Sequence, residues 1–227
     1  MSRMQQQTCR SGVLIKATAE LLRLPPVVAT TALVMLHRFS KAAPEHQLDP
    51  TDVVSACLFV AAKVEEAPVR TNDLVNAVRF EAELRHAGNA AAGSGAVAAY
   101  HMLVGHDYYS VKERLIQHEQ LLLRTLHFDI SMEHPHKYLL NYCATLRCSQ
   151  PLAQLAICLL NDSLLYTTLC LSHAPAEVAG GALHLAAVLL GRADSLPSQP
   201  PHCWWECLGL RRPDIEEVGN VMLDMLQ

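Results

Sequence analysis

Apolar residues recur every three to four positions along most of this chain, which is the period of an amphipathic helix. In "PPVVATTALVMLHRF", residues 25–39, a proline opens the run and Val28, Ala32, Met35, Leu36 and Phe39 fall on one face. "DPTDVVSACLFVAAKVEE", residues 49–66, starts with Asp49 as cap and Pro50 in the first turn. Its stripe is Val53, Ala56, Cys57, Val60 and Val64. The same period runs through "RTNDLVNAVRFEAELRH" (70–86), "YSVKERLIQHEQLLLRTLHF" (109–128) and, after "FDIS", "EHPHKYLLNYCATL" (133–146). Few stretches alternate strictly, so the pattern predicts an all-α protein. "AGNAAAGSGAVAA", residues 87–99, breaks the period and reads as a loop insertion of low complexity.

The pattern repeats. Shifted by 125 residues, Pro26 falls on Pro151, Pro50 on Pro175, Val53 on Val178, and Ala61–Ala62 on Ala186–Ala187. "PTDVVSACLFVAAK" then lies over "PAEVAGGALHLAAV" without a gap, and past the insertion, at a shift of 100, "LIQHEQLLLRTL" lies over "IEEVGNVMLDML". Two copies of a five-helix unit follow, with a tail over 1–10, a first unit over 11–131 and a second over 132–227. Two copies are too few for an open solenoid, so two packed bundles are expected.

Two charges break the first copy's apolar stripes. Lys63 lies three residues after Val60 and seven after Ala56, and Glu119 shares a stripe with Leu115, Leu122 and Leu126. The second copy has Val188 and Gly219 at these positions, so the fold itself does not need the charges. A bland account has Lys63 reaching to solvent and Glu119 at a stripe edge. The sharper account is a partly buried Lys63–Glu119 pair that offers hydrogen-bonding groups to a partner. Breaking a buried pair costs roughly 3–5 kcal/mol, because one charge is left uncompensated.

Composition narrows the function classes. The net charge is −4, so no basic field invites DNA or RNA. No run of 18 apolar residues could span a membrane, and "MSRMQQQTCR" has no signal-peptide core. The eight cysteines form no CxxC, and several sit in apolar helical runs as small hydrophobes, which suits a reduced, soluble, intracellular protein. His134 and His136 flank Pro135, and His202 is near Cys203 and Cys207, but neither group has metal-ligand spacing. No phosphate-binding glycine loop or paired acid/base carboxylates occur, so the chain is expected to be non-catalytic, with no cofactor or metal. Trp204 and Trp205 read as anchors of a short helix, and Glu65 as a solvated helix end.

"AAKVEEAP" followed by "HEQLLLRTLHFDI" resembles the cyclin box, and the double repeat resembles the tandem cyclin fold. "HPHKYLLNY", "LLNDSL", "LCLSHAPAEVAGGALHLA" and "PHCWWECL" are most similar to the cyclin-Q type, with the transcriptional cyclins L and K next. The end of the chain after "MLDMLQ", without an Arg/Ser-rich tail, points the same way.

The resemblance implies a regulatory subunit that binds a cyclin-dependent kinase one to one, presses on the kinase C-helix and acts in the nucleus. By motif position it assigns Lys63, Glu119 and Glu66 to the kinase contact. It also implies an apolar pocket of Val60, Val64, Leu123, Phe128 and Ile130, and a kinase of the cyclin-dependent kinase 10 type. Val64 stands where cell-cycle cyclins carry a larger aromatic, which alters the kinases that fit. "SGVLIKATAELLRL" lacks the Met-Arg-Ala-Ile-Leu docking patch, and no RxxL occurs. A competing class is a cyclin-fold transcription factor or scaffold of the general transcription factor IIB or pocket-domain type, with no kinase partner. The IIB type predicts a zinc ribbon and a basic groove, and the sequence has neither.

Overall fold

The computed structural model describes residues 3–43, 48–90, 101–191, 196 and 203–226, with backbone alone at 3–5 and 86–90. It divides into two compact units, Met1–Met132 and Glu133–Gln227. All regular structure among the described residues is helical.

The first unit holds α1 (Arg3–Leu21), α2 (Pro26–Ala42), α3 (Pro50–Val64), α4 (Thr71–Ala90) and α5 (Gly105–Thr125). α3 is its axis, in contact with each of the other four. Its sequence fits that place: Val54 to Leu58 and Val60 to Ala62 are buried, so the helix is apolar nearly all round rather than along one stripe. Asp49 caps it, accepting hydrogen bonds from the Thr51 backbone N–H (2.8 Å) and hydroxyl (2.7 Å), as the sequence predicts. The expected face of α2 is buried at Val28, Ala32, Met35, Leu36 and Phe39. Ile15, Leu58, Leu74 and Leu115 bring the other helices into the same core.

The second unit holds α6 (Pro135–Thr145), α7 (Gln150–Tyr166), α8 (Leu169–Ser172), α9 (Pro175–Leu189), α10 (Trp204–Cys207) and α11 (Arg212–Met225). α9 is the axis here, offset from α3 by the expected 125 residues and of the same 15-residue length. Leu139, Leu152, Leu160, Leu183, Ile215 and Met222 make its core. Gly180 and Gly181 let α11 lie close, since a Cβ at Gly181 would overlap the Val218 side chain. Trp204 is buried and meets Trp205 edge to face, with ring centroids 5.8 Å apart.

Three readings of the sequence change. Residues 3–10 are not a tail but the first turns of α1. Residues 87–90 of the Ala/Gly stretch continue α4, and 91–99 lie outside the described residues. The second unit is five helices only by correspondence: α10, between α9 and α11 where the first unit has α4, is four residues long, and α8 is an added turn.

Candidate functional site

The two charges that disturb the apolar pattern meet. Lys63 Nζ lies 2.5 Å from Glu119 Oε1, joining the last turn of α3 to the C-terminal half of α5 across 56 residues of sequence. The Lys63 side chain is 50% exposed and that of Glu119 15%. The pair is therefore not buried as a unit. Glu119 is largely covered and Lys63 spans from it to solvent, so both the bland and the sharp accounts are partly right.

Position along the helix explains the exposure. Lys63 is one residue from the end of α3, beyond the buried segment that stops at Ala62. A cation in the last turn also faces the partial negative charge of the unsatisfied carbonyls. Phe59, one turn earlier, lies beneath the ammonium, with Nζ 3.9 Å from the ring centroid. The side chain is thus held on two sides.

The other residues assigned from the sequence divide by exposure. Val64 and Leu123 are half-buried beside the pair, on α3 and α5. Phe128 is 66% exposed and Ile130 38%, both on the turn after α5. Val60 is buried at 3% and underlies the surface instead of lining it. Glu66 is exposed at φ 53°, in the left-handed region just past α3. Glu65 is no solvated end: it is half-buried and accepts a 2.6 Å hydrogen bond from the Thr31 hydroxyl of α2.

Three contacts escape the sequence reading. Phe59 beneath Lys63 is the most legible of them, since four residues separate them on one helix. Arg114 of α5 reaches Asp52 of α3 at 3.5 Å, and Arg38 of α2 reaches Asp129 beyond α5 at 3.2 Å. Neither has a local signal, because each partner is supplied by the tertiary fold.

The second unit builds the same corner without charge. Val188 is 50% exposed at the end of α9, followed by Leu189 (47%) and Leu190 (38%), and Gly219 is buried against α9. Its histidines take structural places: His134 is the residue before α6, and His136 Nε2 lies 2.9 Å from Asn161 Oδ1. His202 lies outside the described residues, and no group of three potential ligands gathers among those that are described. No described helix is long and apolar enough to cross a membrane. A small pocket between α1, α2 and the start of α3 presents the polar Gln7, Thr8 and Ser11 from α1.

An all-helical double repeat, charged at one corner of its first copy and apolar at the same corner of its second, defines the class. Residues 5–131 match the cyclin N-terminal domain and residues 134–210 the cyclin-T2-like C-terminal domain. The chain belongs to the cyclin family. It is 33% identical to cyclin-T1-3 of Oryza sativa subsp. japonica over 207 residues, covering 91% of this chain and 40% of that protein. Human cyclin-L1 is 32% identical over 209 residues, 90% of this chain and 37% of that one. Cyclin-L1-1 of Oryza sativa subsp. japonica is 35% identical over 210 residues, 92% and 46% respectively. The chain thus spans less than half the length of these curated relatives.

Its fold is similar to that of a chain in the yeast RNA Pol II CTD kinase CTDK-1 complex, with TM-score 0.72, 17% identity, and coverage of 97% of this chain and 65% of that one. It is also similar to a chain in the CAK complex from Chaetomium thermophilum bound to ATP-gamma-S, with TM-score 0.68, 18% identity, and coverage of 97% and 63%.

Proposed function

We propose that this chain is the activating, non-catalytic subunit of a cyclin-dependent protein kinase, bound one to one through its first repeat. The carrying observation is the Lys63–Glu119 pair, set at the exposed end of the first unit's central helix and absent from the second copy. A feature needed only for folding would be expected in both copies. The pair leaves Glu119 Oε2 and the remaining Lys63 N–H donors for a partner, beside the apolar Val64, Leu123, Phe128 and Ile130. Such a surface suits a helix with one apolar anchor flanked by polar backbone. Activation follows from differential affinity: a subunit that binds the kinase more tightly with its C-helix inward shifts the population to that form, bringing the kinase's own Lys–Glu pair and metal-binding Asp into register.

Membership of the cyclin family supports this reading over the transcription factor IIB and pocket-domain alternative, as does the fold's likeness to a chain of a complex named as a kinase, the yeast RNA Pol II CTD kinase CTDK-1. The "HPHKYLL" and "PHCWWECL" segments favour the cyclin-Q type, and with it a kinase of the cyclin-dependent kinase 10 type and a nuclear place of action. Affinity capture from cell extract, followed by kinase assay, decides. The wild-type chain should enrich a cyclin-dependent kinase over a control protein, and no enrichment would sink the proposal. Lys63→Ala and Glu119→Ala should each lose capture with the melt nearly unchanged, and Val188→Lys should capture as wild type does.

A further inference from the structure

The turn after α5 holds two consecutive non-glycine residues in the left-handed region, His127 at φ 52° and Phe128 at φ 59°. The first is accounted for by helix termination. The Phe128 N–H reaches the Leu123 carbonyl at 2.8 Å and the His127 N–H reaches that of Arg124 at 3.0 Å, which closes the helix end. The second is not, because a bulky aromatic in this region is an outlier that needs a reason. Here the strained residue is also 66% exposed, so burial does not supply one.

The hydrogen bonds of the next two residues are local: Asp129 N–H to Leu126 O at 2.9 Å and Ile130 N–H to Phe128 O at 3.0 Å. Among the described contacts, one tie reaches from this turn to another helix. Arg38 Nη1 of α2 lies 3.2 Å from Asp129 Oδ2, joining positions 91 residues apart. α2 is well anchored where Arg38 leaves it, since its neighbours His37 and Phe39 are both buried. A rigid helix thus holds the carboxylate between two exposed apolar side chains, Phe128 and Ile130.

We infer that Arg38 is a positioning residue for the partner surface: through Asp129 it fixes the turn that aims Phe128 and Ile130 outward. This rests on the proposed kinase partner and adds a residue on a helix otherwise outside that surface. The ion pair is at the surface, Arg38 33% and Asp129 65% exposed, so its influence is a bias and not a lock. Pairs of this kind shift an equilibrium by about two- to fivefold.

The test is a charge-reversal cycle on the full chain: Arg38→Asp, Asp129→Arg and both together. Two quantities are read, amide hydrogen exchange at 129–131 in the free chain and recovery of the cyclin-dependent kinase from cell extract. Each single change should speed exchange and lower recovery by about two- to fivefold, and the double change should restore both. Phe128→Ala should lower recovery by at least about thirtyfold, as truncation of an aromatic anchor does. If either single variant fails to fold, Asp129→Asn replaces it and should give the same factor.

Singles that recover kinase as the wild type does overturn the inference, and so does a double variant that restores neither quantity. Phe128→Ala recovering kinase at the wild-type level overturns it as well. Wild type enriching no kinase is a different failure, that of the functional reading itself, and it takes the partner-directed role of Arg38 with it.

Discussion

Lys63 shows how far a single residue can be read from its neighbours. Its spacing from Ala56 and Val60 puts it in angle on the core stripe, but angle says nothing about how far along the helix the packing extends. Packing stops at Ala62, so the ammonium emerges at the last turn, half exposed. That lowers the energetic stake from that of a buried pair to that of a surface one. Lys63→Ala should cost about 0.2–1 kcal/mol, which for a chain of this size lowers Tm by no more than about 2–4 °C in a thermal melt followed by circular dichroism. A loss several times larger would mean that the pair serves the fold. The pairing was one of two accounts the sequence left open, since two apolar-stripe charges of opposite sign can meet or each reach solvent. The Glu65 contact was not among them: its Thr31 partner comes from α2, and no pattern within α3 could announce it.

Among the helices, starts were easier to read than ends. Pro26, Pro50 and Pro135 mark starts by fixed φ, Asp49 adds a side-chain cap before Pro50, and each proline opens its helix where expected. Ends are usually marked by glycine, yet here Arg23, Glu66, His127 and Arg147 all adopt positive φ just past a helix. With no glycine to flag them, the ends of α1, α3, α5 and α6 carry no local signal. Glycine instead appears inside α9, where it would ordinarily weaken a helix by about 0.5–1 kcal/mol relative to alanine. The α9–α11 contact explains it, since Gly181 faces Val218 with no room for a Cβ. Gly181→Ala should therefore destabilise the second unit by about 1–3 kcal/mol despite alanine's better helix propensity, read as a lower denaturation midpoint. Gly180→Ala meets the end of the flexible Leu210 side chain and should cost less. If Gly181→Ala stabilised the protein, the close approach of the two helices would be wrong.

For the whole molecule, the internal repeat was the most informative signal, because two units of one design expose what each has added. The first adds charge at the end of its central helix, and the second puts apolar residues there. Their electrostatic liabilities differ too. His184, on the central helix of the second unit, is half-buried, and burial pushes its pKa below the ordinary 6.5. Nearby Glu216 opposes the shift, and Arg212 adds to it. The sign follows from linkage. With the folded pKa below the unfolded one, the unfolded chain binds the proton first as pH falls. The stability contributed by neutral His184 is complete above pH 6.5 and is lost as pH falls from there through the folded pKa. Both tryptophans, Trp204 and Trp205, are in the second unit, so fluorescence-detected unfolding reports that unit alone. Its denaturation midpoint should fall between pH 7 and pH 5.5, and His184→Asn should flatten the dependence. A midpoint that falls equally in both proteins would assign the acid sensitivity to other groups and remove His184 as its cause.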